Sequence, residues 1–115
     1  MSDFREQGFE VFGTWSAAVE KFNVRPGGQY GPGINAGSGT RLSPTEGKPE
    51  YTFVEAQLHH LGRVIAIARI DMNFEDNSFE VTHADKTREH VFGESIDVPA
   101  LVERIIGELT NKVER

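Results

Sequence analysis

From Val54 to Val81 apolar side chains recur at every second position, and this alternation constrains the fold of the chain more than any other feature. Val54, Ala56 and Leu58 set the period, Val64, Ala66, Ala68, Ile70, Met72 and Phe74 resume it, and Phe79 and Val81 close it. In a strand successive side chains point to opposite faces, so a period of two predicts strands with one buried face. A three-residue turn over His60 to Gly62, with Gly62 left-handed, pairs Leu58 with Val64 and Val54 with Ala68. A second turn at Asp76 and Asn77 sets Phe74 opposite Phe79 and Met72 opposite Val81, and a third at Asp85 and Lys86 leads to a strand near Glu89 to Phe92. The segment 51–93 therefore reads as an antiparallel four-stranded meander, all of whose apolar residues share one face.

Two helices supply the cover for that face. Between Phe4 and Phe22, Phe12, Trp15, Val19 and Phe22 are spaced by threes and fours, which predicts a first helix, with its strongest signal over Thr14 to Phe22. Toward its start Gly8 and Gly13 each cost about 1 kcal/mol relative to alanine, so Phe9 and Val11 read as a short extended piece. At the other end Ser95 or Asp97 caps a helix that tolerates Pro99 in its first turn and carries Leu101, Val102, Ile105, Leu109 and Val113 as its apolar stripe. Between them, Pro26 to Pro49 holds seven of the twelve glycines and four of the five prolines. Glycine raises the entropy lost on ordering and proline removes a donor, so residues 23–50 read as a long flexible Gly/Pro-rich loop. The expected class is α+β in the order α-β-β-β-β-α, both helices on one face, in a single domain spanning 1–115.

Several function classes fall away on composition. The chain has 115 residues and no cysteine, which excludes thiol nucleophiles, disulfides and iron–sulfur ligation. Its net charge is −6, and no basic cluster offsets the repulsion of a phosphate backbone, so nucleic acid is not an expected partner. No apolar run approaches the ~20 residues of a membrane span, so a membrane partner is not expected and the expected location is cytoplasmic.

Constellations that would carry chemistry are weak. His59 and His60 are neighbours on a strand and point to opposite faces, and His83 and His90 have no compact ligand spacing, so neither a metal nor a cofactor is expected and no catalytic residue is assigned. Gly31, Gly33 and Ala36 imitate a dinucleotide fingerprint but follow a helix and sit beside Pro32, which is the wrong context for a phosphate-binding turn.

The second face of the sheet is more informative. It carries the polar residues Glu55, Gln57, His59, Arg63, Arg69 and Asp71, yet Ile65 and Ile67 interrupt them. With Phe53 and Tyr51 they form an apolar island inside a charged rim, the composition of an interface. The expectation is a small non-enzymatic interaction module that uses this face, at Phe53, Ile65, Ile67 and Arg69, to hold a protein partner or a second copy of itself as a homodimer. The competing expectation is a small-ligand site, with the Gly-rich loop as lid bringing Arg25, Tyr30 and Arg41 over Glu55, His59 and Arg63 to meet an anion or a nucleotide-like ring.

Overall fold

The computed structural model describes residues 4–24 and 31–113. Its elements run α1 (Phe4–Asn23), β1 (Gly33–Leu42), β2 (Pro49–His60), β3 (Arg63–Asn73), β4 (Ser78–Thr82), β5 (Arg88–Phe92), a short 3-10 turn at Gly93–Ser95, and α2 (Val98–Thr110). The five strands form one antiparallel sheet in the order β1-β2-β3-β4-β5, and the two helices lie side by side across one face of it. The α+β class and the helices at either end agree with the alternation and the two helical stripes.

The sheet has one more strand than the alternation predicts, because part of the expected loop is regular. Gly33–Leu42 is paired with β2 along its length, from Gly33 opposite His59 to Leu42 opposite Pro49. Glycine lowers strand propensity, but here pairing with the long β2 outweighs it, and only Ile34 of β1 is buried. The helix α1 is also longer than its periodicity suggests. Phe4, Gly8, Val11, Trp15 and Val19 are buried along one stripe, so tertiary burial outweighs the glycine penalty and Phe9 and Val11 are helical rather than extended. Gly8 has a positive use: a Cβ there would lie 3.9 Å from the Cβ of Tyr51, so the helix comes down almost onto β2.

The core is the single layer between helices and sheet. Trp15, Val54, Leu58, Ile70, Phe79, Val81, Ile105 and Leu109 are essentially inaccessible to solvent. Asp97 caps α2 by accepting a hydrogen bond from the Ala100 N–H at 3.1 Å, and Pro99 occupies the first turn.

The register differs from the expected one by two residues. Leu58 faces Ala66, Val54 faces Ile70, and Met72 faces Phe79. The β2–β3 connection is a two-residue turn, Leu61 and Gly62, with φ of 55° and 76° and His60 opposite Arg63. Positive φ at both central residues is the condition of the tight hairpin turn that matches strand twist. A slip of two leaves each side chain on its expected face, whereas a bulge does not. Two bulges break the alternation: β2 has an extra residue, Thr52, between the pairs Gly39/Phe53 and Thr40/Tyr51, and β3 has one, Ile65, between His59/Val64 and Leu58/Ala66.

Candidate functional site

The face of the sheet away from the helices has two halves. In the first, Phe53, Glu55, Gln57, Arg69 and Asp71 meet across β2 and β3, where Phe53 opposes Asp71 and Glu55 opposes Arg69. The Arg69 guanidinium lies 3.9 Å from the centre of the Phe53 ring. It also donates to both Asp71 carboxylate oxygens at 3.0 Å and reaches Glu55 at 3.4 Å, while Gln57 donates to Glu55 at 3.0 Å. The hydrogen bond to Asp71 is the chief cause that holds Arg69 above the ordinary arginine value, against a desolvation that works the other way. This half is a closed lattice: each charge is answered by a neighbour on the same face.

Gly39 is the seat of that lattice. A Cβ built there would collide with Cε1 and Cδ1 of Phe53 and stand 2.9 Å from Oγ1 of Thr52, so one edge of the ring lies against the glycine backbone. Gly39→Ala is expected to push the ring off β1, part it from Arg69, and lower unfolding free energy by about 1–3 kcal/mol, the usual range for overpacking. Denaturant unfolding, with the loss of the ring-current shift on the Arg69 side chain in NMR spectra, checks it. Unchanged stability and shift would mean that the ring is not fixed there.

In the second half, at the start of β3, the chemistry changes. Val64, Ile65 and Ile67 are 56%, 44% and 43% exposed. Directly opposed residues share a face, so beyond the Ile65 bulge Val64 joins His59 on the open side and Arg63 joins His60 on the helix side. Strand β4 pairs only with Arg69 to Asn73, so the outer edge of Arg63 to Ala68 has no backbone partner among the described residues. Where the β4–β5 turn diverges from it, a notch of about 350 Å³ opens between Val64 to Ile67 and the residues Ala84 and Lys86.

The structure brings some of the expected site residues together and separates others. Phe53, Arg69 and Glu55 are in mutual contact, Ile67 lies beside them opposite Gln57, and His59 faces Gly33 across β1. Tyr51 is not part of the island. The Thr52 bulge turns it under α1, where its ring stacks on Phe12 at 4.4 Å and meets Phe9 edge-on at 5.3 Å. Arg63 is likewise displaced to the helix-side face by the Ile65 bulge. Arg41 does not reach over the sheet, because it donates to the buried Glu50 at 2.8 Å and covers the Phe74 ring at 4.9 Å. Arg25 and Tyr30 lie outside the described residues. The Gly-rich loop expected over 23–50 as a lid therefore loses its middle part, since Gly33 to Leu42 is fixed in the sheet by pairing with β2.

Two clusters form around His83 and His90, the histidines whose spacing alone gives no compact ligand pattern. His83, at the end of β4, is buried, with Nδ1 2.9 Å from Glu108 of α2 and Nε2 2.9 Å from Glu89 of β5. Arg104 donates to the same Glu89 at 3.0 Å. Both carboxylates lie within hydrogen-bond distance of the one ring, so the imidazole ties the end of β4 to β5 and to α2. On the open face His90 lies over Phe92, 3.6 Å from Asp76 and 3.8 Å from Glu80, and Glu80 also meets Arg88 at 3.4 Å. Among the described residues no group of His, Asp and Glu has the geometry to hold a metal ion. Among them, too, no helix is long and apolar enough to cross a membrane.

The signal for the notch was present in the sequence. The alternating run from Val64 to Phe74 is much longer than that of Phe79 and Val81, so β3 must outrun β4 and leave part of its edge bare. Comparison of the chain with protein-family models, with curated proteins and with solved structures finds no match.

Proposed function

We propose that this chain is a protein-interaction module that binds a protein partner through the open face of its sheet, at the start of β3. The observation that carries this reading is the contiguous set Val64, Ile65 and Ile67, half-exposed beside a lattice whose charges are already paired. Exposed apolar area gives the driving force, about 25 cal/mol for each Å² removed from water. The paired lattice around Arg69 gives a rigid polar border that needs no rearrangement on docking.

Photo-crosslinking from residue 64 in cells tests it, with residue 21 on α1 as the reference position. A partner crosslinked from residue 64, absent from residue 21, and reduced at least about tenfold by Ile67→Asp in a chain that stays folded is the expected result. Equal crosslinking from both positions, or a pattern indifferent to Ile67→Asp, would place recognition elsewhere on the molecule.

A further inference from the structure

We infer that the occupant of this end of the sheet is an extended segment of a partner protein, apolar and acidic together, seated in the notch between β3 and the β4–β5 turn. The inference rests on the interaction reading above and adds the chemistry of the partner.

The notch has one apolar wall, Val64 to Ile67, whose backbone edge is unpaired among the described residues, and a second wall from Ala84 and Lys86. Such an edge accepts an extended chain, with apolar side chains entering the notch and main-chain groups bonding along Ala66 to Ala68. The other sheet edges are less suited. Asn23 already bonds both the N–H and the carbonyl of Ile34 on β1, each at 2.9 Å, and β5 presents Arg88, Glu89 and His90.

Charge decides what the extended chain must be. The protein carries a net charge of −6, and three of its strand cations are answered by its own carboxylates: Arg41 by Glu50, Arg69 by Glu55 and Asp71, Arg88 by Glu80. Arg63, where the bare stretch begins, and Lys86, on the far wall of the notch, make no ion pair among the described residues. No carboxylate lines the notch. This corner of an acidic molecule thus offers an incoming carboxylate uncommitted cations, whereas a basic segment meets local repulsion there and is attracted by the −6 net charge only at long range. A second copy fits less well. Pairing this edge with itself about a two-fold axis gathers the Arg63 and Lys86 cations of both copies at one seam that no carboxylate of the notch offsets.

A short labelled peptide alternating valine with glutamate is the probe, with valine/lysine and serine/glutamate peptides beside it. Fluorescence anisotropy and amide chemical shifts of the full chain are the readouts. The expected result is binding of the valine/glutamate peptide alone, with shifts confined to Arg63 to Ala68 and Ala84 to Lys86. Arg63→Glu with Lys86→Glu should weaken it by about tenfold or more and transfer preference to the valine/lysine peptide. Ile65→Ser should weaken it without changing the charge preference. Absence of binding, equal binding of the lysine peptide, or shifts centred on Phe53 and Gln57 would each overturn the inference. A concentration-dependent doubling of mass in light scattering that Ile65→Ser abolishes would overturn it in favour of a second copy. If crosslinking from residue 64 still depends on Ile67 while no acidic peptide binds, the interaction reading stands and the partner chemistry fails; if both are lost, both fail.

Discussion

Replacing Trp15 with alanine is expected to remove about 3–5 kcal/mol of stability, a large part of the ~5–15 kcal/mol available to a domain of this kind. Trp15 is 1% exposed and lies midway along the buried stripe of α1, between Val11 and Val19. Its ring fills the layer between helix and sheet, and its indole N–H donates to the Glu55 carbonyl at 3.1 Å. Truncation therefore opens a cavity over β2 and removes the polar tie between helix and strand. Trp15→Phe keeps most of the packing and loses the donor, so its cost should be nearer 1 kcal/mol plus the smaller ring's void. Because Trp15 is the chain's one tryptophan, unfolding is followed by far-UV circular dichroism in urea rather than by fluorescence. A loss below about 1 kcal/mol for the alanine variant would mean that α1 is not anchored through this residue.

The same anchor reaches the open face, since the carbonyl that Trp15 holds belongs to Glu55, whose side chain on the opposite face meets Arg69. Helix docking on one face and the charged lattice on the other are thus linked through a single β2 residue. The linkage predicts that the lattice loosens with the core, and it explains why the open face can be rigid without any cover.

How far the sequence reveals this arrangement depends on which physical signal each element leaves. Faces are legible because burial enforces a period of two: Val54, Ala56, Leu58, Ala68, Ile70 and Val81 are all on the buried side, as their alternation requires. Register is not, because a slip of two residues preserves every face, and what selects among slips is turn geometry at Leu61 and Gly62, where leucine at positive φ gives no compositional warning. Strand β1 is concealed for a different reason. Its residues after Ile34 are largely exposed, so it carries no burial pattern, and the glycine that marks it as irregular, Gly39, is there to seat the Phe53 ring. Bulges at Thr52 and Ile65 explain the two side chains assigned to the wrong face, Tyr51 and Arg63. Phe53, Glu55 and Arg69 are legible as neighbours on one face from parity alone. The ion cluster at His83 is not, since its two carboxylates come from β5 and from α2, the latter 25 residues along the chain.

That cluster carries the second large effect. His83→Ala is expected to cost about 1.5–3 kcal/mol, the range for hydrogen bonds to charged groups, because it unties β4 and β5 from α2 and leaves Glu108 and Glu89 without their shared hydrogen-bond partner. The loss stays below that of a fully buried pair, since Glu89 and Glu108 are 36% and 47% exposed and Arg104 still answers Glu89. The pH dependence follows from Glu89, whose carboxyl is held below the ordinary carboxylate value chiefly by its hydrogen bond from His83, with Arg104 adding to it against desolvation. A depressed folded-state value means that Glu89 contributes its stability fully above the ordinary carboxylate range and loses it as the pH falls through that depressed value. Wild type should therefore lose more stability on acidification than Glu89→Gln, and in His83→Ala the acid slope should be shallower than in wild type. Urea midpoints measured from neutral to acid pH for the three proteins check both signs; a slope unchanged by either substitution would remove this cluster from the acid response. His83 also lines the notch beside Ala84 and Lys86, so the clamp fixes the wall against which a partner segment would lie. His83→Ala should then weaken binding of the valine/glutamate peptide even at a urea-free pH where the chain remains folded, whereas Trp15→Phe, which leaves that wall intact, should not.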